Sequence, residues 1–143
     1  MTHVYVSLER DEDGYPPFDE EEIDATEMGG GRFRIEGVPV FVYGLAVGDV
    51  VKVARVHGDD RLWVTEVVEQ AGHWTSRVVP KDPAALDDVA SLFQELGCRA
   101  HATPFGLVAV DVPASAPAGP VLALLDQGAA AGRWHFDLGV GPE

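Results

Sequence analysis

From His73 to Leu138 the chain reads strand, helix, strand, strand, helix, strand, with a breaker residue at nearly every boundary. That order is the signature of the split-βαβ, ferredoxin-like unit. It places the first strand between the third and the fourth, all antiparallel, with both helices on one face. His73 to Pro80 forms the first strand. Asp82 caps the following helix, Pro83 takes its first position, and Gly97 stands just past its end. Within it, Leu86, Val89, Phe93 and Leu96 recur at helical spacing and make one apolar stripe. Cys98 to Thr103 and Leu107 to Val112 pair as a hairpin around Pro104-Phe105-Gly106. A second helix runs from Pro120 to Ala131 and is stopped by Gly132, and Arg133 to Leu138 is the last strand. Gly128 and the alanines Ala129 to Ala131 predict a close approach of that helix to the sheet. The ferredoxin-like unit hosts many activities, so the order predicts architecture and leaves function to the side chains.

The preceding residues, 1–72, read as a separate small all-β unit, barrel-like, with no helix signal. Val4, Val6 and Leu8 alternate with Tyr5 and Ser7, the pattern of a half-buried strand. Nine of the seventeen residues from Asp11 to Glu27 are acidic, and Tyr15-Pro16-Pro17-Phe18 interrupts any regular pairing. Most of Asp11 to Glu22 is therefore expected as an exposed acidic loop. Ile23 to Met28 and Arg32 to Ile35 flank Gly29-Gly30-Gly31, whose positive φ suits a hairpin turn. Val38 to Tyr43 is an extended apolar segment. Val50 to Val56 and Arg61 to Gln70 form a second hairpin about His57-Gly58-Asp59-Asp60. The expected fold is thus α+β: a barrel-like β unit over 1–72 and a ferredoxin-like βαββαβ unit over 73–143.

Composition removes several classes of function. The net charge of −14 repels nucleic-acid phosphates and anionic lipid headgroups, so neither nucleic acid nor membrane is an expected partner. No apolar run reaches the roughly 18 residues that span a bilayer. Met1 to Arg10 lacks the basic start and apolar core of a signal peptide. With one cysteine, Cys98, no internal disulfide can form, and the expected compartment is the cytoplasm. Cys98 reads as a buried structural thiol, because no base stands near it in the sequence.

Strand alternation sorts the second unit's side chains. Trp74, Ser76, Val78, Val108, Val110, Val112, Trp134, Phe136 and Leu138 fall on the helix-facing side. His73, Thr75, Arg77, Asp111, His135 and Asp137 fall on the other. Antiparallel pairing gathers His73, Thr75, Asp111 and Asp137 at one end of the sheet, with Arg77 deeper in. A histidine beside carboxylates can act as a general base, and an arginine can hold a carboxylate or phosphate through its fork. The plainer reading is that the acids neutralise His73 and Arg77, on a solvated face or across the seam with the β unit.

No metal or cofactor is expected. Histidines at helical i, i+4 spacing and CxxC pairs are both absent. His101 and His135 fall on opposite edge strands, roughly 14 Å apart, too far for one ion. Asp11-Glu12-Asp13-Gly14 lacks the calcium-loop pattern. Gly29-Gly30-Gly31 joins strands instead of opening a helix, so it is not a phosphate cradle. No serine stands in a GxSxG elbow.

Val38-Pro39-Val40-Phe41-Val42-Tyr43-Gly44-Leu45-Ala46-Val47-Gly48-Asp49-Val50-Val51 and Gly72-His73-Trp74-Thr75-Ser76-Arg77 resemble a bacterial family known as domain of unknown function 4265. The resemblance covers most of the chain. It departs from the family's pattern around Ile23-Asp24-Ala25, where an aromatic is expected. It implies no activity, but it singles out Tyr43, Asp49, His73, Thr75 and Arg77. Tyr43 and Asp49 also have a plain reading, as a strand-end tyrosine and a turn aspartate.

Three functions are compatible with these residues. The leading expectation is a non-catalytic protein that binds a small anionic ligand or a peptide at the seam of the two units. Arg77 would hold the anion, His73 and Thr75 would hydrogen-bond, Tyr43 would wall the site, and Asp49 completes the set. The alternatives are an enzyme using His73 as acid–base group, oriented by Asp111 or Asp137, and an acidic interaction module of the antidote or immunity type acting through Asp11 to Glu27. An edge strand carrying His101 also permits homodimer formation.

Overall fold

The alternating pattern near the N-terminus is realised as a five-stranded sheet. The computed structural model describes residues 2–142, and its backbone divides into two compact units between Ala71 and Gly72. In the first, β1 (Thr2–Ser7), β2 (Glu20–Gly29), β3 (Arg32–Ile35), β4 (Val50–Ala54) and β5 (Trp63–Glu69) pair antiparallel in chain order. A parallel contact of β1 with β5 closes the sheet into a barrel. That closure is narrow: Tyr5 registers with Trp63, and the Tyr5 N–H donates to the Leu62 carbonyl at 2.8 Å. Inward strand residues Val4, Ile23, Ala25, Phe33, Ile35 and Val51, placed by the period of two, meet Val42 and Leu45 of the segment between β3 and β4 in one core.

Most of the acidic stretch is the expected loop, but the loop ends three residues early. Asp11 to Asp19 is irregular and mostly exposed, but β2 starts at Glu20, so Glu20, Glu21 and Glu22 are strand residues. The cause is tertiary. Glu21 accepts the N–H groups of Val40 at 2.6 Å, Phe41 at 2.8 Å and Val42 at 3.0 Å. These successive donors would otherwise lack strand partners, because Val38 to Tyr43 forms bends and no strand. A buried N–H needs an acceptor, and here a carboxylate replaces a neighbouring strand.

In the second unit, β6 (Trp74–Pro80), α1 (Leu86–Gln94), β7 (Arg99–Ala102), β8 (Val108–Val112), α2 (Ala118–Ala130) and β9 (Trp134–Val140) follow in order. The four strands are antiparallel in the order β7-β8-β6-β9, so the first strand of the unit lies between its third and fourth. Asp82 caps as expected, its Oδ1 accepting from the Ala84 N–H at 3.0 Å, but the first turn, Pro83–Ala85, is 3-10 and the α-helix begins at Leu86. A single tight turn at a helix start is common. α2 begins at Ala118, two residues before Pro120; proline within the first turn leaves no intrahelical bond unmade.

One apolar cluster holds this unit together. Trp74, Val78, Val108, Val110, Val112 and Trp134 from the sheet meet Val89, Ala90 and Phe93 of α1 and Val121 and Leu125 of α2. Both helices therefore cover the same sheet face. Gly128 makes the approach possible: a Cβ there would fall inside the Trp134 ring. The indole is fixed in place, since its Nε1 donates to the Leu125 carbonyl at 3.0 Å and its ring lies 5.9 Å from that of Phe93.

Candidate functional site

β6 is bonded on both sides, and its register sets the polar face. Thr75 stands opposite Asp111 of β8, and Arg77 opposite Asp137 of β9. His73 precedes the strand by one residue and reaches the same carboxylate as Thr75. Its Nδ1 lies 2.9 Å and 3.1 Å from the two oxygens of Asp111. Asp111 is buried, whereas His73 keeps part of its ring in solvent. A carboxylate holding Nδ1 with both oxygens fixes the ring plane, and it directs Nε2, across the ring, away from the acid.

Arg77 is a second pair two residues along the same face. Its Nε donates to Asp137 Oδ1 at 2.8 Å, with the arginine buried and the aspartate half exposed. The expected gathering of four residues at one end is thus divided. His73, Thr75 and Asp111 form one group, and Asp137 stands with Arg77. A β-bulge contributes to this: Thr75 registers with Val140 but Ser76 with Leu138, so Gly139 is the extra residue on β9. The Thr75 hydroxyl accepts the Val140 N–H at 2.9 Å, and the Ser76 hydroxyl donates to the Asp137 carbonyl at 2.9 Å. Both hydroxyls thereby stitch β6 to β9. His101 and His135 lie on β7 and β9, the two outer strands of this sheet.

Tyr43 and Asp49 belong to the first unit. Tyr43 exposes most of its side chain. Asp49 is buried, and both carboxylate oxygens are engaged by backbone: Oδ2 accepts from Ala46 and Oδ1 from Ala71, each at 3.0 Å. Its own N–H closes the turn onto the Ala46 carbonyl at 3.2 Å. Gly48, at φ +88°, gives that turn its left-handed residue, and a Cβ there would stand 2.7 Å from that of Ala71. The glycine–aspartate phrase is a structural staple of the barrel.

Cys98 is buried, and burial, with the charge of Asp111 adding to it, pushes its thiol up to about 11. A thiol so far from its thiolate is a poor nucleophile at neutral pH.

Sequence reasoning passed over one group on the barrel. Arg61 lies beside the rings of Tyr5 and Trp63, 5.4 Å and 4.8 Å from their centroids. Asp59 accepts from Arg61 Nε at 3.0 Å, from its N–H at 2.9 Å and from Trp63 Nε1 at 3.0 Å, and Glu20 accepts from Arg61 Nη1 at 2.6 Å. These donors, Arg61 foremost, hold Asp59 well below the usual carboxylate range, and the two acids raise Arg61 above its ordinary value. The available signal was the alternation that puts Tyr5 and Trp63 on outward faces of neighbouring strands.

Among the described residues no helix is long and apolar enough to cross a membrane. No curated protein matches the chain. A solved structure described as "Novel crystal structure of a hypothetical protein from Neisseria gonorrhoeae" is similar, with TM-score 0.78 and 20% identity over 95% of this chain and 92% of that one. At that identity the likeness concerns the fold alone. The family model for Domain of unknown function (DUF4265) matches residues 21–136, which is most of the chain. The chain therefore belongs to the DUF4265 family.

Proposed function

We propose that this chain is a non-catalytic cytoplasmic protein that binds a small anionic ligand or peptide through the polar face of its second unit, which we read as ferredoxin-like. The fold reading is supported by the βαββαβ order and by β6 lying between β8 and β9. The cytoplasmic reading rests on a lone, buried cysteine. The observation that carries the function is the two-oxygen grip of Asp111 on His73 Nδ1. In the protonated ring Nε2–H is a donor aimed away from the acid, suited to an anionic oxygen; in the neutral ring Nε2 is an acceptor. Arg77, oriented by Asp137, adds positive charge to the same face.

Native mass spectrometry of gently purified protein tests this. The parent is expected to retain a small acid that His73→Ala and Arg77→Lys lose while keeping the parent's circular dichroism. Retention of the same adduct by both variants overturns the reading.

The second reading is an enzyme with His73 as acid–base group. It is favoured by the same dyad, because an imidazole held at Nδ1 by a buried carboxylate has the tautomer and orientation that proton transfer requires. Asp111, and not Asp137, fills the orienting role. That reading expects His73→Ala to abolish turnover of any substrate found and the parent to show a bell-shaped pH profile.

A further inference from the structure

Where β1 and β5 part below their single registered pair, the barrel wall opens into a solvent-exposed cavity of about 360 Å³. It is lined by Thr2, His3, Tyr5, Arg55, Asp60, Arg61 and Leu62. Its size is at the lower end of small-molecule pockets, and it is distinct from the polar face of the second unit.

The charges around it are not equivalent. Arg61 is matched by Asp59 and Glu20. His3 is matched by Glu22 at 3.3 Å and Asp24 at 2.8 Å. Arg55 has a different standing. Its described bond is a long one, 3.3 Å, to the Asp60 backbone carbonyl, and no carboxylate among the described residues forms an ion pair with it. Asp60, which lines the same cavity, likewise makes no ion pair among the described residues. An arginine and an aspartate, neither of them in an ion pair, therefore line one opening. Leu62, partly buried against the barrel core, and Tyr5 line the same opening.

The wider field decides between ligand classes. Glu20, Glu22, Asp24 and Asp59 crowd this side of the barrel, and the chain carries −14 overall. A plain anion meets that negative field, and a plain cation meets Arg55 and Arg61 at close range. A zwitterion meets neither penalty and can satisfy both open groups. We propose that this cavity binds an α-amino acid zwitterion or short peptide, its carboxylate on Arg55, its ammonium on Asp60, and its apolar side chain on Leu62 and Tyr5.

The test is a titration of the full ¹⁵N-labelled chain with phenylalanine, 3-phenylpropionate and phenethylamine, followed by NMR. Phenylalanine is expected to shift Thr2, Tyr5 and Leu62 saturably, with a Kd near the millimolar range. Removing one ligand charge, or making Arg55→Gln or Asp60→Asn, is expected to weaken binding roughly tenfold, the worth of one charged hydrogen bond. Because the ligand series uses unmodified protein, a variant that misfolds does not obscure the result. Equal binding of 3-phenylpropionate and phenylalanine, shifts confined to other surfaces, or no saturable shift up to about ten times that range overturns the proposal.

Discussion

Gly128 and Trp134 illustrate how much one missing methyl can matter. The indole is buried, bonded through Nε1 to Leu125, and packed against Phe93, so it has no room to move when a side chain appears beneath it. Gly128→Ala is favourable by helix propensity, by about 1 kcal/mol. The clash should outweigh that and leave a net loss of about 2 kcal/mol or more, readable as a lowered urea midpoint. Cys98 offers a pH-dependent counterpart. Its folded thiol titrates at about 11, above the ordinary cysteine, so the folded chain keeps a proton that the unfolded chain releases. The stabilising contribution is complete below about pH 8.5 and is lost as pH rises from there toward 11. Unfolding midpoints of the parent should fall faster over that alkaline window than those of Cys98→Ala; parallel curves would show the thiol to be energetically silent.

At the scale of elements, legibility tracked where the determining contact lies. Helix α1 was visible because its signals are local: Asp82 caps, Pro83 starts, Gly97 ends, and Val89 and Phe93 mark the buried stripe. Strand β2 was misplaced at its start because its determining contact is remote. Four acids in the five residues Glu20 to Asp24 argue for solvent, and only the three N–H groups of Val40 to Val42 show why Glu21 belongs in a strand. Glu21→Gln retains the shape but removes the charge that strengthens those bonds. A cost of about 1–3 kcal/mol is expected, measured by urea unfolding, with the amides of Val40, Phe41 and Val42 exchanging faster than in the parent.

At the scale of the whole molecule, alternation alone sorted the second sheet's two faces, since a period of two needs no knowledge of the partner strand. It did not resolve which acid stands by which base. The register shift at Gly139 moves residues along β9 without any sequence mark except the glycine itself. The cavity on the barrel was invisible for a related reason: it is a property of where β1 and β5 stop touching, and no residue type announces that. The single registered pair, Tyr5 with Trp63, also bears on mechanics. A closed sheet has no edge to recruit a foreign strand, but this one is a clasp bracelet, with four broad antiparallel hinges and one narrow catch. Fluctuations that open the barrel should begin at the catch and expose the facing edges of β1 and β5 together. Whatever bridges β1 to the β4–β5 loop would then act as a lock on the barrel as well as an occupant of it.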